Sequence, residues 1–257
     1  SSCLIKNSND IGIKMLNSDV TIDDTDIIEN QVGLSSDNSQ AVFSNCNIMD
    51  NELYEVHVLN PNGYPAFTNC SIIGDNSYFA IEGGTQSIDR QWVYFQGEYL
   101  IMDDIYLIKS NDFCLLTIDA GNRLKFAKGA QLHLGNTSND GGYLIAEGTS
   151  DSLITFTAQN DSIGGWDGIY FDNSSDYYSG QNSSLKYCTI EKGNAYNIYF
   201  YNTYSTDIDN CTIQNSAQKG MFVNNSNLNL SNLQFINNGT YGLYYNNPVY
   251  IQPFTNI

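Results

Sequence analysis

Between Ser205 and Asn247 the chain writes one pattern twice. The first copy runs Thr206-Asp207-Ile208-Asp209-Asn210-Cys211-Thr212-Ile213, then Gly220-Met221-Phe222-Val223. The second runs Asn227-Leu228-Asn229-Leu230-Ser231-Asn232-Leu233-Gln234-Phe235, then Gly242-Leu243-Tyr244-Tyr245. Cys211 aligns with Leu233, a step of 22 residues. Each copy holds three short runs in which apolar and polar residues alternate, separated by Asn, Ser and Gly. Alternation at period two marks a strand with one buried face. A unit this short, built only of such strands, cannot bury its own apolar side. Copies must stack on one another, and the chain must be a solenoid.

The same frame can be laid over the upstream sequence. Cys3, Thr25, Cys46, Cys70 and Cys188 align with Cys211. Two positions on stand Ile5, Ile27, Ile48, Ile72, Ile190, Ile213 and Phe235. Nine or ten positions after the Cys register stand Ile13, Leu34, Val56, Phe79, Ile198, Met221 and Leu243. The expected architecture is all-β, a right-handed parallel β-helix of roughly ten coils, each about 21–26 residues. Its handedness follows the crossover rule for parallel strands. The pattern lapses between Gly83 and Asp104, so three segments are expected: coils over 1–84, a join over 85–104, and a second run of coils over 105–257. The polar stretch 173–182 interrupts the spacing and is expected to leave the helix surface as a loop.

Charge narrows the partners. The chain carries 10 Lys plus Arg against 28 Asp plus Glu, a net charge of −18. Nucleic acid needs a basic face and is not expected, and neither is an anionic membrane surface or an anionic polysaccharide unless a cation bridges. No apolar run is long enough to span a bilayer. A neutral glycan, a Ca²⁺-bridged contact, other domains or copies of the same protein, or no ligand at all remain. Of the six Cys, Cys3, Cys46, Cys70, Cys188 and Cys211 share one register and are expected to form a buried stack of free thiols. No C-x-x-C pair points to zinc. Asn45, Asn69, Asn210 and Asn232 each precede that register, and their side chains are expected to form amide ladders along the axis.

Residues 115–247 carry a more specific series. Leu116-Thr117-Ile118-Asp119-Ala120-Gly121 is followed by Leu124-Lys125-Phe126, Gly142 to Thr149, Ile154-Thr155-Phe156-Thr157 and Trp166 to Phe171. In that order these runs resemble secreted bacterial right-handed parallel β-helix proteins, of the kind common on large surface proteins of Bacteroidetes-like bacteria. The resemblance implies the fold and an extracellular or cell-surface location. The chain opens inside a repeat, and it is expected to be a segment of a longer protein whose export signal lies elsewhere.

Two sets of residues are candidates for a site. The outward position on the Gly-led strand reads Tyr170, Tyr199, Phe222 and Tyr244, with Tyr201 and Tyr196 alongside. Such a row is either a recognition platform for sugar rings or another protein, or a cross-coil stack that strengthens the sheet. In the first half the same position reads Lys14, Ser35, His57 and Ala80. The acid groups Asp23/Asp24/Asp26 and Asp207/Asp209 could hold structural Ca²⁺, although neighbouring strand residues face opposite ways. No other cofactor is expected. The motifs of β-helix pectinolytic enzymes are missing apart from bare Asp-Asp pairs, and no catalytic residue is assigned. The expected function is a non-enzymatic structural or adhesive segment, able to assemble end to end. A carbohydrate-binding β-helix using the aromatic row is the alternative, and a remote polysaccharide lyase or hydrolase the third.

Overall fold

The structure is a computed structural model and describes residues 2–136, 140–172 and 182–247. The expected loop 173–182 lies outside the described residues except for Asn182. All described elements are strands apart from one short 3₁₀ turn, Pro61–Gly63, and every pair of named strands is parallel. The spine is a long sheet that runs in order through Cys3–Lys6, Thr25–Ile28, Asn47–Met49, Ser71–Ile81, Gln96–Ile101, Arg123–Phe126, Ile154–Ala158, Cys188–Glu191, Thr212–Gln214 and Gln234–Ile236. A seven-stranded sheet from Gly84–Gln86 to Tyr241–Asn246 and a six-stranded sheet from Arg90–Trp92 to Asn227–Ser231 form the other walls of the later turns. In the first turns Ile11–Leu16, Val32–Asp37 and Tyr54–Val58 form one wall, and a three-stranded sheet ending at Ala66–Thr68 forms another. The chain is thus a parallel β-solenoid of about ten turns.

Each regular turn changes direction at corners of one recipe. A single residue enters the left-handed region, with φ of 50° at Asp24, 53° at Asn45, 52° at Asn210, 47° at Asn38 and 48° at Asn202. The Cβ atom makes this conformation costly for most residues, and Asn tolerates it best after Gly. At many of these corners the next side chain folds under and donates to the carbonyl two residues before it. At one kind of corner that donor is Thr25 (2.9 Å to Asp23 O), Cys46 (3.1 Å to Ser44 O), Cys188 (3.3 Å to Lys186 O) and Cys211 (3.3 Å to Asp209 O). Elsewhere it is Ser39, Thr203 or Ser226, at 3.0, 3.1 and 2.8 Å. It can also be Asn30 or Asn51, at 3.0 and 3.2 Å. The cysteines therefore occupy the slot that Ser, Thr and Asn fill at other corners, as small groups with a weak donor.

Two sequence expectations change in this light. Cys46, Cys188 and Cys211 are buried, but Cys3 is exposed on the first turn and Cys70 is half-buried; all six thiols are free. The amides of Asn45, Asn69, Asn210 and Asn232 stay near solvent, because these residues are the left-handed corners themselves. Asn45, Asn210 and Asn232 donate to carboxylates, and only Asn69 reaches a neighbouring amide, at 3.5 Å. The buried amide stack is made instead by Asn30 and Asn51, 3.1 Å apart and continued by Glu55.

The single repeat frame is also corrected. Ser71–Ile81 pairs through its first half with Asn47–Met49 and through its second with Tyr54–Val58. It therefore merges two walls that earlier turns keep apart. The next turn pairs mainly with its second half, and the frame moves round by one wall. The continuous inner row is consequently Ile13, Leu34, Val56, Phe79, Tyr99, Leu124, Phe156, Ile190, Ile213 and Phe235. Val56 and Phe79 thus lead to Ile190 and Ile213, rather than to Ile198 and Met221. Residues 84–101 carry the strands Gly84–Gln86, Arg90–Trp92 and Gln96–Ile101, a turn in which the shift is completed. Large rings fill it: Phe79 stacks on Tyr99 at 4.6 Å, and Tyr64 donates to or accepts from Tyr99 at 2.9 Å.

Asn237 has φ 51°. We expect Asn237→Ala to cost about 1 kcal/mol more than Asn237→Gly, because only the former adds left-handed strain. Urea midpoints of the two variants measure this directly. Equal midpoints would show that the corner conformation is not what selects Asn.

Candidate functional site: an aromatic ladder on the seven-stranded sheet

Tyr170, Tyr199, Phe222 and Tyr244 are in register on successive strands. The row begins further upstream than the sequence frame indicated, because the frame shift carries Lys14, Ser35, His57 and Ala80 onto the long sheet. Its true continuation is Tyr170 to His133 to Tyr106. His133, which the sequence marks only as an outward strand residue, is thus the second ring of a six-ring ladder. The signal was present: Leu132 and Leu134 flank it as Ile169 and Phe171 flank Tyr170. Five steps of the usual inter-strand spacing give the ladder a length of about 24 Å.

The rings touch each other along the axis. Centroids lie 5.5 Å apart for Tyr106 and His133, 5.6 Å for His133 and Tyr170, and 5.4 Å for Tyr170 and Tyr199. Tyr199 and Phe222 follow at 5.0 Å, and Phe222 and Tyr244 at 5.1 Å. A second file lies beside it in the same sheet: Tyr196, Lys219 and Tyr241 are in register. Tyr196 stacks on Tyr199 at 5.0 Å, and Tyr241 on Tyr244 at 5.2 Å. Between them the Lys219 ammonium lies 5.6 Å from the Phe222 ring centroid, a cation–π contact.

Stacking decides what the surface presents. His133 and Tyr170 are inclined by only 9°, Tyr196 and Tyr199 by 24°. Those two pairs stack face to face, whereas Tyr170 meets Tyr196 and Tyr199 edge-on, at 72° and 79°. Burial pushes the Tyr170 hydroxyl up to about 12. Burial also lowers the His133 pKa, against the pull of Asp172 and Asp104. Tyr201, Tyr241 and Tyr244 keep the most exposure, at 38%, 54% and 36%. Tyr201 lies at the edge of the cluster, 6.5 Å from Tyr199.

The acid groups have a different arrangement. Asp23 accepts from Ser44 Oγ at 2.7 Å and Asn45 Nδ2 at 2.9 Å, and Asp26 from Asn47 Nδ2 at 2.7 Å. Asp24 is a left-handed corner. Asp207 accepts from Asn229 at 2.7 Å, and Asp209 from Ser231 at 2.6 Å and Asn232 at 2.8 Å. Each of these five carboxylates except Asp24 is thus tied to the next turn. Among the described residues no group of three or more His, Cys, Asp or Glu is arranged to hold a metal ion. The histidine of the first half, His57, pairs with Glu82 at 2.7 Å and packs on Tyr54, while Ser35 beside it is buried.

Two connected hollows sharing Asp50 and Glu52, of about 490 and 320 Å³, follow one corner of the first turns. The smaller includes Glu55, a fully buried carboxyl that accepts from Ser77 Oγ at 2.6 Å. Burial raises its pKa, and the Ser77 and Asn51 hydrogen bonds only partly oppose this.

A parallel β-solenoid with outward residue ladders defines the class: this is a β-helix protein. A family model described as right handed beta helix region matches residues 103–249, more than half of the 257, and the chain belongs to that family. Comparison with curated proteins found no match, and comparison with solved structures found none either.

The Asp209 carboxyl generates a pH prediction. Burial would raise its pKa, but hydrogen bonds from Ser231, Asn232 and Asn210 outweigh burial and hold it low. A depressed folded pKa adds stability above the unfolded value of about 3.9, lost as pH falls through the folded value. Asp209→Asn should therefore lower stability at pH 7 and flatten the loss of stability below about pH 4. Thermal midpoints of wild type and variant between pH 2 and 7 give the slope, and parallel curves would contradict the assignment.

Proposed function

We propose that the chain is a rigid, non-enzymatic segment of a larger extracellular protein, and that the aromatic face of the seven-stranded sheet is its adhesive surface. The observation that carries this reading is the ladder from Tyr106 to Tyr244, in register over six turns of a scaffold with a continuous interior. A preformed surface loses little entropy on binding. Tyrosine gives large amphipathic contact area with a hydroxyl at its tip, and it is enriched where proteins meet. Packed on one another in stacked, tilted and edge-on contacts, the inner rings offer a mixture of edges and faces rather than a row of flat ones. That chemistry suits another domain, or a second copy of the protein, more than a flat sugar platform. End-to-end assembly and a bacterial cell-surface location are parts of the same proposal, supported by the resemblance to secreted β-helix proteins.

Neutral glycans are a second reading, favoured by one observation. Tyr241 and Tyr244 are stacked at 26° and both are more than a third exposed, so this pair has room for a sugar ring. The enzymatic reading has less support, because the Asp207 and Asp209 carboxylates are tied to Asn and Ser of the next turn.

The test separates the exposed rings from the structural ones. Tyr199 touches Tyr170, Tyr196, Tyr201 and Phe222, so Tyr199→Ala should cost about 2 kcal/mol of stability. The triple variant Tyr201→Ser, Tyr241→Ser, Tyr244→Ser should cost far less, yet abolish self-association in sedimentation experiments or retention on a glycan array. Full retention by the folded triple variant would remove the aromatic face as the adhesive surface. Release of reducing ends or unsaturated products from any polysaccharide would remove the non-enzymatic reading.

A further inference from the structure

The three-stranded sheet ends at Ala66–Thr68 and the six-stranded sheet begins at Arg90–Trp92, and these two strands do not pair. The frame shift leaves a gap between them. A cavity of about 240 Å³ opens there, with Pro65, Phe67, Thr68, Asp89, Arg90 and Gln91 among its lining. Pockets for drug-sized ligands begin at about 300 Å³, so this one has room for a single small molecule.

Arg90 gives the cavity its character. Its guanidinium is fixed by neutral oxygens: Nη1 donates to the Asp89 carbonyl at 3.1 Å, and Nη2 to Gln40 Oε1 at 2.9 Å and to the Asn62 carbonyl. Three of its five N–H groups are used in this way, Nε is buried without a partner, and one N–H of Nη1 is left over. Arg123, the other arginine, pairs with Glu98 at 3.3 Å and Asp161 at 3.7 Å. No ion pair with Arg90 occurs among the described residues. Burial lowers its pKa, with Asp89 acting in the opposite sense. A guanidinium held rigidly in a cavity wall by carbonyl groups keeps its charge available for an incoming anion.

We propose that this cavity binds a small hydroxylated carboxylate, of the size and chemistry of a monosaccharide acid, with its carboxylate on Arg90. The rest of the lining selects the class. Asp89 repels a second negative charge, which disfavours phosphate esters, and it accepts hydrogen bonds from hydroxyl groups. Thr68 and Gln91 add further polar partners, while Pro65 and Phe67 form an apolar wall against the C–H side of a sugar ring. The net charge of −18 opposes a polyanion. A single monoanion meets little of that field, because charges beyond about 8 Å are screened at physiological salt. The site is separate from the aromatic ladder and does not depend on the adhesive reading.

The experiment uses the wild-type chain first. Its two arginines give two Nε–H resonances, and Arg123 serves as the internal reference. Titration with D-glucuronate should shift the Arg90 resonance saturably, with a Kd of roughly millimolar order, and leave Arg123 in place. D-Glucose should not shift it, and acetate should bind about tenfold more weakly for want of hydroxyl contacts. Arg90→Gln, if folded by circular dichroism, should lose at least about tenfold in affinity. The proposal is overturned if neither resonance moves, if both move together, if glucose acts as glucuronate does, or if folded Arg90→Gln binds as well as wild type. Should the variant fail to fold, the comparison of the two resonances in the wild type decides alone.

Discussion

The corner is the constraint on which this solenoid depends. A turn of some 22 residues must change direction several times without a loop long enough to do so gradually. One residue in the left-handed region achieves this, and the chain spends Asn there again and again: Asn7, Asn17, Asn38, Asn45, Asn202, Asn215, Asn225, Asn237. The carbonyl just before the corner accepts the corner N–H of the preceding turn, as Asp37 O does from Asn17 and Asp209 O from Tyr187, and it has a second lone pair turned inward. At many corners the following side chain adds a second donor from inside, whether as Ser, Thr, Asn or Cys. That pair of demands fixes the polar inventory of the interior. Apolar rows fill the walls between corners, and a small donor sits beneath many of them.

The same recipe at every corner explains why the frame can shift without breaking the fold. A wall that loses its corner, as Ser71–Ile81 does, becomes one long strand that pairs with both of its predecessors. Nothing in the interior forbids this, since every wall presents alternating apolar residues at the same strand spacing. The volume mismatch is absorbed by rings: Phe79, Trp92, Phe95, Tyr99 and Tyr64 are all buried around the shift. Outside, the consequence is larger. The outward row of Lys14, Ser35 and His57 runs on into Leu100 and Lys125, while the aromatic row starts afresh on the new wall at Tyr106.

The fold class was legible because period-two alternation and a repeat near 22 residues leave few alternatives, and the pairing of Cys211's strand with Leu233's followed the pattern read from them. The shift was not legible. A slip of one wall keeps both the repeat length and the alternation, so a sequence frame passes across it unbroken. That is why the spacing aligns Ile198 with Phe79 and passes over Tyr106 and His133. The spacing of Asn45, Asn69, Asn210 and Asn232 is that of the corners, but their amides do not form the axial ladder it suggests. An αL Asn points its side chain toward solvent, and the buried amides are those one residue later, such as Asn30 after Glu29 and Asn51 after Asp50.

Charge follows from the same geometry. Every outward position recurs a few ångströms further along the axis, so like residues on successive turns would form rows of repelling carboxylates. At several positions Asn or Ser stands opposite Asp instead: Asp26 with Asn47, Asp207 with Asn229, Asp209 with Ser231. Basic residues do the same work where acids cluster, as Lys186 does for Glu147 at 2.7 Å and Lys125 for Glu98 at 3.0 Å. In a chain with so few cations, those partnerships occupy most of them. Arg90 departs from this rule because it lies at the first strand of a sheet that has no turn paired beneath it. There the axial neighbour that would have carried a matching carboxylate is replaced by a gap, and carbonyl groups from two earlier turns hold the guanidinium instead.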